Sequence, residues 1–194
     1  HNINNTFVYK KINLLNINNF IKKKNNKNIN NYFLYVFNKK YYFNPKNMWN
    51  FEKNNKDKEI FFYKIRFSWL LFGNDHLSYD KKIDILISFI EQYNISKSDS
   101  YSLGERISNW IIFIKVNENL LSPQISNLIN QSINDQILIL INNLEYYDDK
   151  TNNHLLSNIK AIFLFSIYYK ERSYLKLCEE VFDFIIDHIF YKSG

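Results

Sequence analysis

The chain has 194 residues, 46% of them hydrophobic, a globular proportion that supports one well-buried core. Its formal charge of +6 and pI near 9.1 favour an anionic partner, but Asn, Lys, Ile, Tyr and Phe are all plentiful while Gly, Pro and Ala are scarce. That pattern follows from biased codons, so charge alone does not separate nucleic acid from an anionic polysaccharide. A single cysteine, Cys178, excludes an intrachain disulfide or a multi-cysteine zinc site, and no uninterrupted apolar run reaches the roughly 20 residues that cross a bilayer.

Residues 1–31 are dominated by Asn, Lys and Ile, and the interleaved Phe7, Ile12, Leu15, Phe20 and Ile21 predict one or two helices. Lys22, Lys23 and Lys24 fall in a solvated loop between them. Residues 31–63 are aromatic-rich and read as an irregular segment wrapping onto a helical body, with Phe43 and Trp49 packing as plugs. From Lys64 the period is helical: Ile65, Trp69, Leu70 and Phe72 begin it, and Gly73-Asn74 stop it. Ser78 caps a predicted helix over about 79–94, and Ser100 or Ser102 opens the next, which carries Ile107, Trp110, Ile111 and Ile114. Ser122-Pro123 places an N-cap before a proline at the first helical position, and that helix runs to about 145. Helices over 153–170 and 173–191 complete the series. The predicted class is all-α, with residues 1–63 as an N-terminal segment and 64–194 as the helical body. Successive hairpins of this kind suit a bundle, a superhelical repeat or an α/α toroid.

Chemistry concentrates where the helix over 153–170 begins. Its first turn leaves unpaired backbone N–H groups and a positive dipole end, which favour a carboxylate nearby. The Asn153 amide can donate to a uronate carboxylate while an imidazole such as His154, or a phenol, accepts the neighbouring carbon-bound proton, made more acidic by that neutralisation. These are the ingredients of β-elimination. His154 and Asn158 lie one turn apart on a common face. The competing reading is a helix cap from Thr151 or Asn152 with a packed or solvated histidine.

The stretch Asn153-His154-Leu155-Leu156-Ser157-Asn158-Ile159-Lys160-Ala161-Ile162 resembles the Asn-His-Leu-Leu-x-Asn-x-Lys/Arg-Ala-Leu pattern in the N-terminal α/α toroid of the heparinase II/III-like polysaccharide lyases. Upstream, Tyr101-Ser102-Leu103-Gly104-Glu105-Arg106-Ile107-Ser108-Asn109-Trp110 resembles that family's Tyr-Ser-Leu-x-Glu-Arg-Ile-x-Asn-Trp element. The resemblance implies part of an incomplete α/α toroid acting on an acidic polysaccharide, with Asn153 neutralising the substrate carboxylate and His154 contacting the sugar or assisting as base. Glu105 and Arg106 would wall the pocket, Arg106 on an acidic group of the glycan, with Tyr101 and Asn158 also on the substrate. For Glu105 and Arg106 a buried ion pair between helices is the equal alternative, Tyr101 could simply pack, and Trp110 faces the core. The resemblance further implies a periplasmic or secreted location, and an acid/base tyrosine and β-sandwich beyond Gly194; no cofactor or metal is expected, since neither His76 nor His188 has a metal-ligand companion at close spacing. Because the sequence starts at His1 rather than Met and stops after an apolar helical stretch, it reads as a fragment with little activity alone.

The remaining candidates read as structural. His76 falls in a turn, His188 sits near a helix C-terminus where the dipole favours it, Asp148-Asp149 lie in a solvated loop, and Cys178 is in phase with apolar neighbours. There is neither a Gly-rich phosphate loop nor a Gly-x-Ser-x-Gly elbow. The rival functions are a non-catalytic helical scaffold binding glycan or protein and, with no recognisable motif behind it, nucleic-acid binding through the lysine-rich N-terminal region. Oligomeric state is left open by the sequence.

Overall fold

The computed structural model describes residues 32–46, 48–49, 58–144 and 153–187. The helices expected within 1–31 and their lysine loop, Asp148 and Asp149, the cap candidates Thr151 and Asn152, and His188 lie outside those residues.

Part of the aromatic N-terminal segment is regular. It opens with an antiparallel hairpin of β1 (Phe33–Val36) and β2 (Lys39–Tyr42), in a register that sets Phe33 opposite Tyr42 and Val36 opposite Lys39. Leu34 and Val36 point inward and are fully buried, while Tyr35 between them is exposed, the period-2 alternation of a half-covered strand. The two-residue turn, Phe37-Asn38, holds both residues at positive φ (49° and 62°), as a type I′ hairpin turn demands. Asn74 fixes the hairpin to the helical body by accepting the Tyr35 N–H at 2.8 Å. Trp49 is a plug as expected: its indole N–H donates to Ser88 Oγ at 3.0 Å, and its ring stacks on Phe67 at 5.6 Å.

Among the described residues six α-helices follow: α1 (Lys58–Arg66), α2 (Tyr79–Gln92), α3 (Ser100–Val116), α4 (Pro123–Asn142), α5 (Asn153–Tyr169) and α6 (Arg172–Ile185). Over those residues the fold is all-α apart from the hairpin. Single turns of 3₁₀-helix at Ser68–Leu70 and Ile95–Lys97 bracket α2. The first helix begins earlier than the sequence suggested and runs across the expected boundary at 63/64. Leu34, Val36 and Trp49 also belong to the same apolar core as the helices, so hairpin and helices share one interior.

The caps follow local chemistry. Ser78 accepts the Lys81 amide, and Ser122 accepts the Ile125 amide ahead of Pro123. The cap of α3 is Asp99, whose carboxylate accepts the Ser102 amide at 2.7 Å, rather than either of the two serines expected. Helix α5 ends with Lys170 in the left-handed region (φ 59°) and the Glu171 amide donating back to the Ser166 carbonyl.

Successive helices reverse direction. Arg106, near the start of α3, reaches Gln136 in the second half of α4, and Tyr169, at the end of α5, donates to Asn130 in the first half of α4. Consequently α3 and α5 run parallel, side by side, with their N-terminal ends together. Beneath them the fully buried Phe67, Trp69, Phe89 and Trp110 pack mostly edge to face, 5.0–5.7 Å between centroids.

Candidate functional site

The seam between α3 and α5 brings the two sequence clusters together, and Gly104 makes it possible. A Cβ at that position would lie 2.8 Å from the Asn158 side-chain amide and 3.0 Å from the Ser157 carbonyl oxygen. Only a residue without a side chain lets the two backbones approach this closely. Across the gap, the Asn158 amide, oriented with its nitrogen towards two carbonyls, donates to Ser100 at 2.8 Å and to His154 at 3.2 Å. Asn158 is fully buried, so it braces the seam and does not reach a substrate, contrary to the role expected from the motif.

Glu105 and Arg106 also differ from expectation. Adjacent helical residues point about 100° apart, and these two serve different neighbours. Glu105 faces α5, where one carboxylate oxygen accepts the Ser157 hydroxyl and the Lys160 ammonium, each at 2.6 Å. Burial alone would raise its pKa, but the hydrogen bonds from Lys160 and Ser157 and the charges of Lys160 and Arg66 outweigh burial and hold it below the ordinary carboxylate value.

Arg106 turns inward and is fully buried. Its guanidinium donates to Gln136 Oε1 (2.5 Å), the Ile65 carbonyl (3.0 Å) and Ser98 Oγ (3.0 Å), and lies 4.7 Å from the Phe89 ring centroid. Desolvation lowers its pKa to about 10, against the opposing pull of Tyr93 and Asp99, which leaves it cationic at neutral pH. Asn109 adds a bond from its amide to the Arg66 carbonyl at 2.9 Å. Together Arg106 and Asn109 satisfy carbonyls at the end of α1, where a cation suits the helix dipole. The interhelical ion pair is formed by Glu105 with Lys160, not by Glu105 with Arg106.

The remaining candidates face outward at the N-terminal end of the seam. Asn153, the first residue of α5, is exposed, and His154 and Tyr101 are half-buried. The imidazole stacks on the Tyr101 ring, centroids 4.8 Å apart and planes within 17°. The same phenol ring carries the Arg66 guanidinium, 4.5 Å from its centroid, and Phe62 takes the guanidinium at 4.8 Å. Arg66 Nε donates to Ser102 Oγ at 3.2 Å. The site thus offers a carboxamide, an imidazole, a phenol and a guanidinium to solvent beside a helix start.

Arg66 was missed in the sequence because it lies in a different helix with no spacing relation to Tyr101. Gly104 was a variable position in the resemblance, and its role exists only across the seam. Ser157 and Lys160 stood inside the quoted motif without a partner to mark them.

A groove of about 410 Å³ lies between α5 and α6, lined by Leu156, Lys160, Phe163, Cys178, Glu179 and Phe182 among others. It is apolar, and neither Asn153 nor His154 lines it. Cys178 is buried with its thiol pushed up to about 11 by desolvation and by Glu179, a state inert towards electrophiles at neutral pH. His76 is exposed, as expected of a turn, and stacks on Phe33 at 4.0 Å. Among the described residues no group of three or more His, Cys, Asp or Glu could hold a metal ion, and no helix is long and apolar enough to cross a membrane. No family model matches the chain, and neither a curated protein nor a solved structure matches it.

Proposed function

We propose that the chain is the α/α-toroid portion of a heparinase II/III-like lyase that cleaves an acidic, uronate-containing polysaccharide by β-elimination, with Asn153 and His154 at the scissile sugar. The observation that carries this reading is the meeting of the two motifs: the His154 ring rests on the Tyr101 ring at the shared end of two parallel helices, with Asn153 beside it in solvent. The alternating directions of α2 to α5 and the parallel pair α3 and α5 suit a curved double layer of helices. Arg66 and the start of α5 each place positive charge at this end, which favours an acidic polymer.

The chemistry follows from the groups present. The Asn153 amide donates to the uronate carboxylate, which disperses its charge and acidifies the proton on the adjacent carbon. The His154 imidazole takes that proton, the electron pair forms the new carbon–carbon double bond, and the glycosidic oxygen departs from the β-carbon. The tyrosine that the resemblance expects beyond Gly194 would give the leaving oxygen its proton.

Calorimetric titration with an alginate hexamer tests the site. Wild-type protein binds it, and Asn153→Ala and His154→Ala each weaken binding about tenfold, roughly 1.4 kcal/mol, with an unchanged helical circular dichroism signal. Unaltered binding in both variants refutes the reading. The apolar groove between α5 and α6 favours one rival, a non-catalytic helical scaffold that binds a partner there, and that rival predicts the unaltered result.

A further inference from the structure

We propose that Arg66 is the specificity residue of this site, a guanidinium held by two rings and a hydroxyl to receive a carboxylate of the polysaccharide. The inference rests on the lyase reading, because that reading puts the sugar beside His154. Three features of the structure support it.

The first is orientation. Phe62 and Tyr101 both lie against the guanidinium, whose carbon is 4.8 and 4.5 Å from their ring centroids, a double cation–π contact that restricts where it can swing. Nε is taken by Ser102, and the Nη edge has no protein acceptor among the described residues. The Nη pair of a guanidinium matches the two oxygens of a carboxylate, a bidentate geometry that a lysine ammonium cannot reproduce.

The second is charge. Glu105 is close enough to feel the Arg66 charge, yet its carboxylate pairs with Lys160 and Ser157 at 2.6 Å. Glu105 is thereby neutralised from the α5 side, and Arg66 forms no salt bridge among the described residues. Partial burial between two rings reduces the screening of that charge by water.

The third is placement. The Arg66 carbonyl is fixed by Asn109 and its Nε by Ser102, and its guanidinium carbon lies against two rings, so little conformational freedom remains to be lost on binding. Tyr101 carries both Arg66 and His154 on its ring, which couples the anion receptor to the proposed base through one side chain.

The test compares an alginate hexamer with its carboxyl-reduced, neutral counterpart by calorimetric titration at low and high salt. Arg66→Gln is expected to narrow the wild-type preference for the acidic hexamer about tenfold and to flatten its salt dependence, with the near-ultraviolet dichroism of the Tyr101 region retained. Arg66→Lys keeps the charge and is expected to restore the salt dependence but not the affinity. If Arg66→Gln binds the acidic hexamer as wild-type does, or weakens both hexamers equally, the assignment is overturned, while losses in Asn153→Ala and His154→Ala would still uphold the lyase reading. Full recovery of affinity in Arg66→Lys overturns the bidentate receptor. Failure of wild-type protein to bind the acidic hexamer overturns both proposals together.

Discussion

Gly104→Ala is the sharpest probe of how the site is assembled. In an isolated helix this substitution is favourable by about 1 kcal/mol, because glycine is the poorer helix former. Here the added methyl would sit 2.8 Å from the Asn158 amide and 3.0 Å from the Ser157 carbonyl oxygen, distances that real Cβ atoms rarely or never show. The amide belongs to a side chain held at both ends, and the carbonyl is helix backbone, so neither yields without moving α5. Overpacking of this kind costs about 1–3 kcal/mol. Separation of the helices also stretches the Asn158 bond to Ser100 (2.8 Å) and the Ser157 bond to Glu105 (2.6 Å), each contributing about 1 kcal/mol. The costs exceed the helix gain, and the expected net destabilisation is about 1–3 kcal/mol, a fall in Tm of roughly 3–10 °C for a chain of this size. Thermal denaturation followed at 222 nm measures it. Because Asn158→Ala removes the side-chain contact and leaves the backbone one, the double variant should recover only part of the Gly104→Ala strain in a mutant cycle. A Tm at or above wild type for Gly104→Ala would show that the seam has slack and would refute the close-approach argument.

Two further outcomes follow from the same surroundings. The Glu105 carboxyl is depressed in the folded state, so its stabilising contribution is complete above its ordinary value of 4.5 and is lost as pH falls through the lower folded value. Glu105→Gln should therefore cost about 0.5–1 kcal/mol at pH 7, and that cost should shrink as pH falls below 4.5; urea midpoints over a falling pH series check this, and a gap that does not narrow would contradict it. Lys170 holds φ 59° at the end of α5, a conformation glycine adopts without strain, so Lys170→Gly should raise Tm by about 2–4 °C, and a lowered Tm would mean that its side chain contributes more than its backbone loses.

The parts of this fold that were legible are those whose cause is local. Ser78 and Ser122-Pro123 mark helix starts because a cap oxygen and a proline act within one turn, and the apolar stripe that buries Trp110 recurs at the helical period. The hairpin escaped because its turn is Phe37-Asn38, with no glycine to announce two positive φ angles, and because its outward face, with Phe33, Tyr35 and Tyr42, is more aromatic than its inward one. Asp99 displaced the serines as the α3 cap for a geometric reason: its carboxylate sits three residues before an open amide, and adjacent polar residues do not reveal which will occupy that place.

The site divides along the same line. Sequence adjacency suggested that Glu105 and Arg106 act together, yet a turn of 100° per residue sends one to Lys160, 55 positions on, and the other to Gln136 and Ile65, 30 and 41 positions away. Motif spelling therefore identified the chemically capable residues but mixed those that face solvent with those that hold the helices. What sorts them is the parallel contact of α3 with α5. Asn158, Gly104 and Arg106 are spent on making that contact and on ending α1, and the cost of their burial is what sets Tyr101, His154 and Arg66 on one another's rings. A substitution among the first three should move the geometry of the last three, which is why the stability of the seam and the affinity for an acidic glycan should fall together in Gly104→Ala.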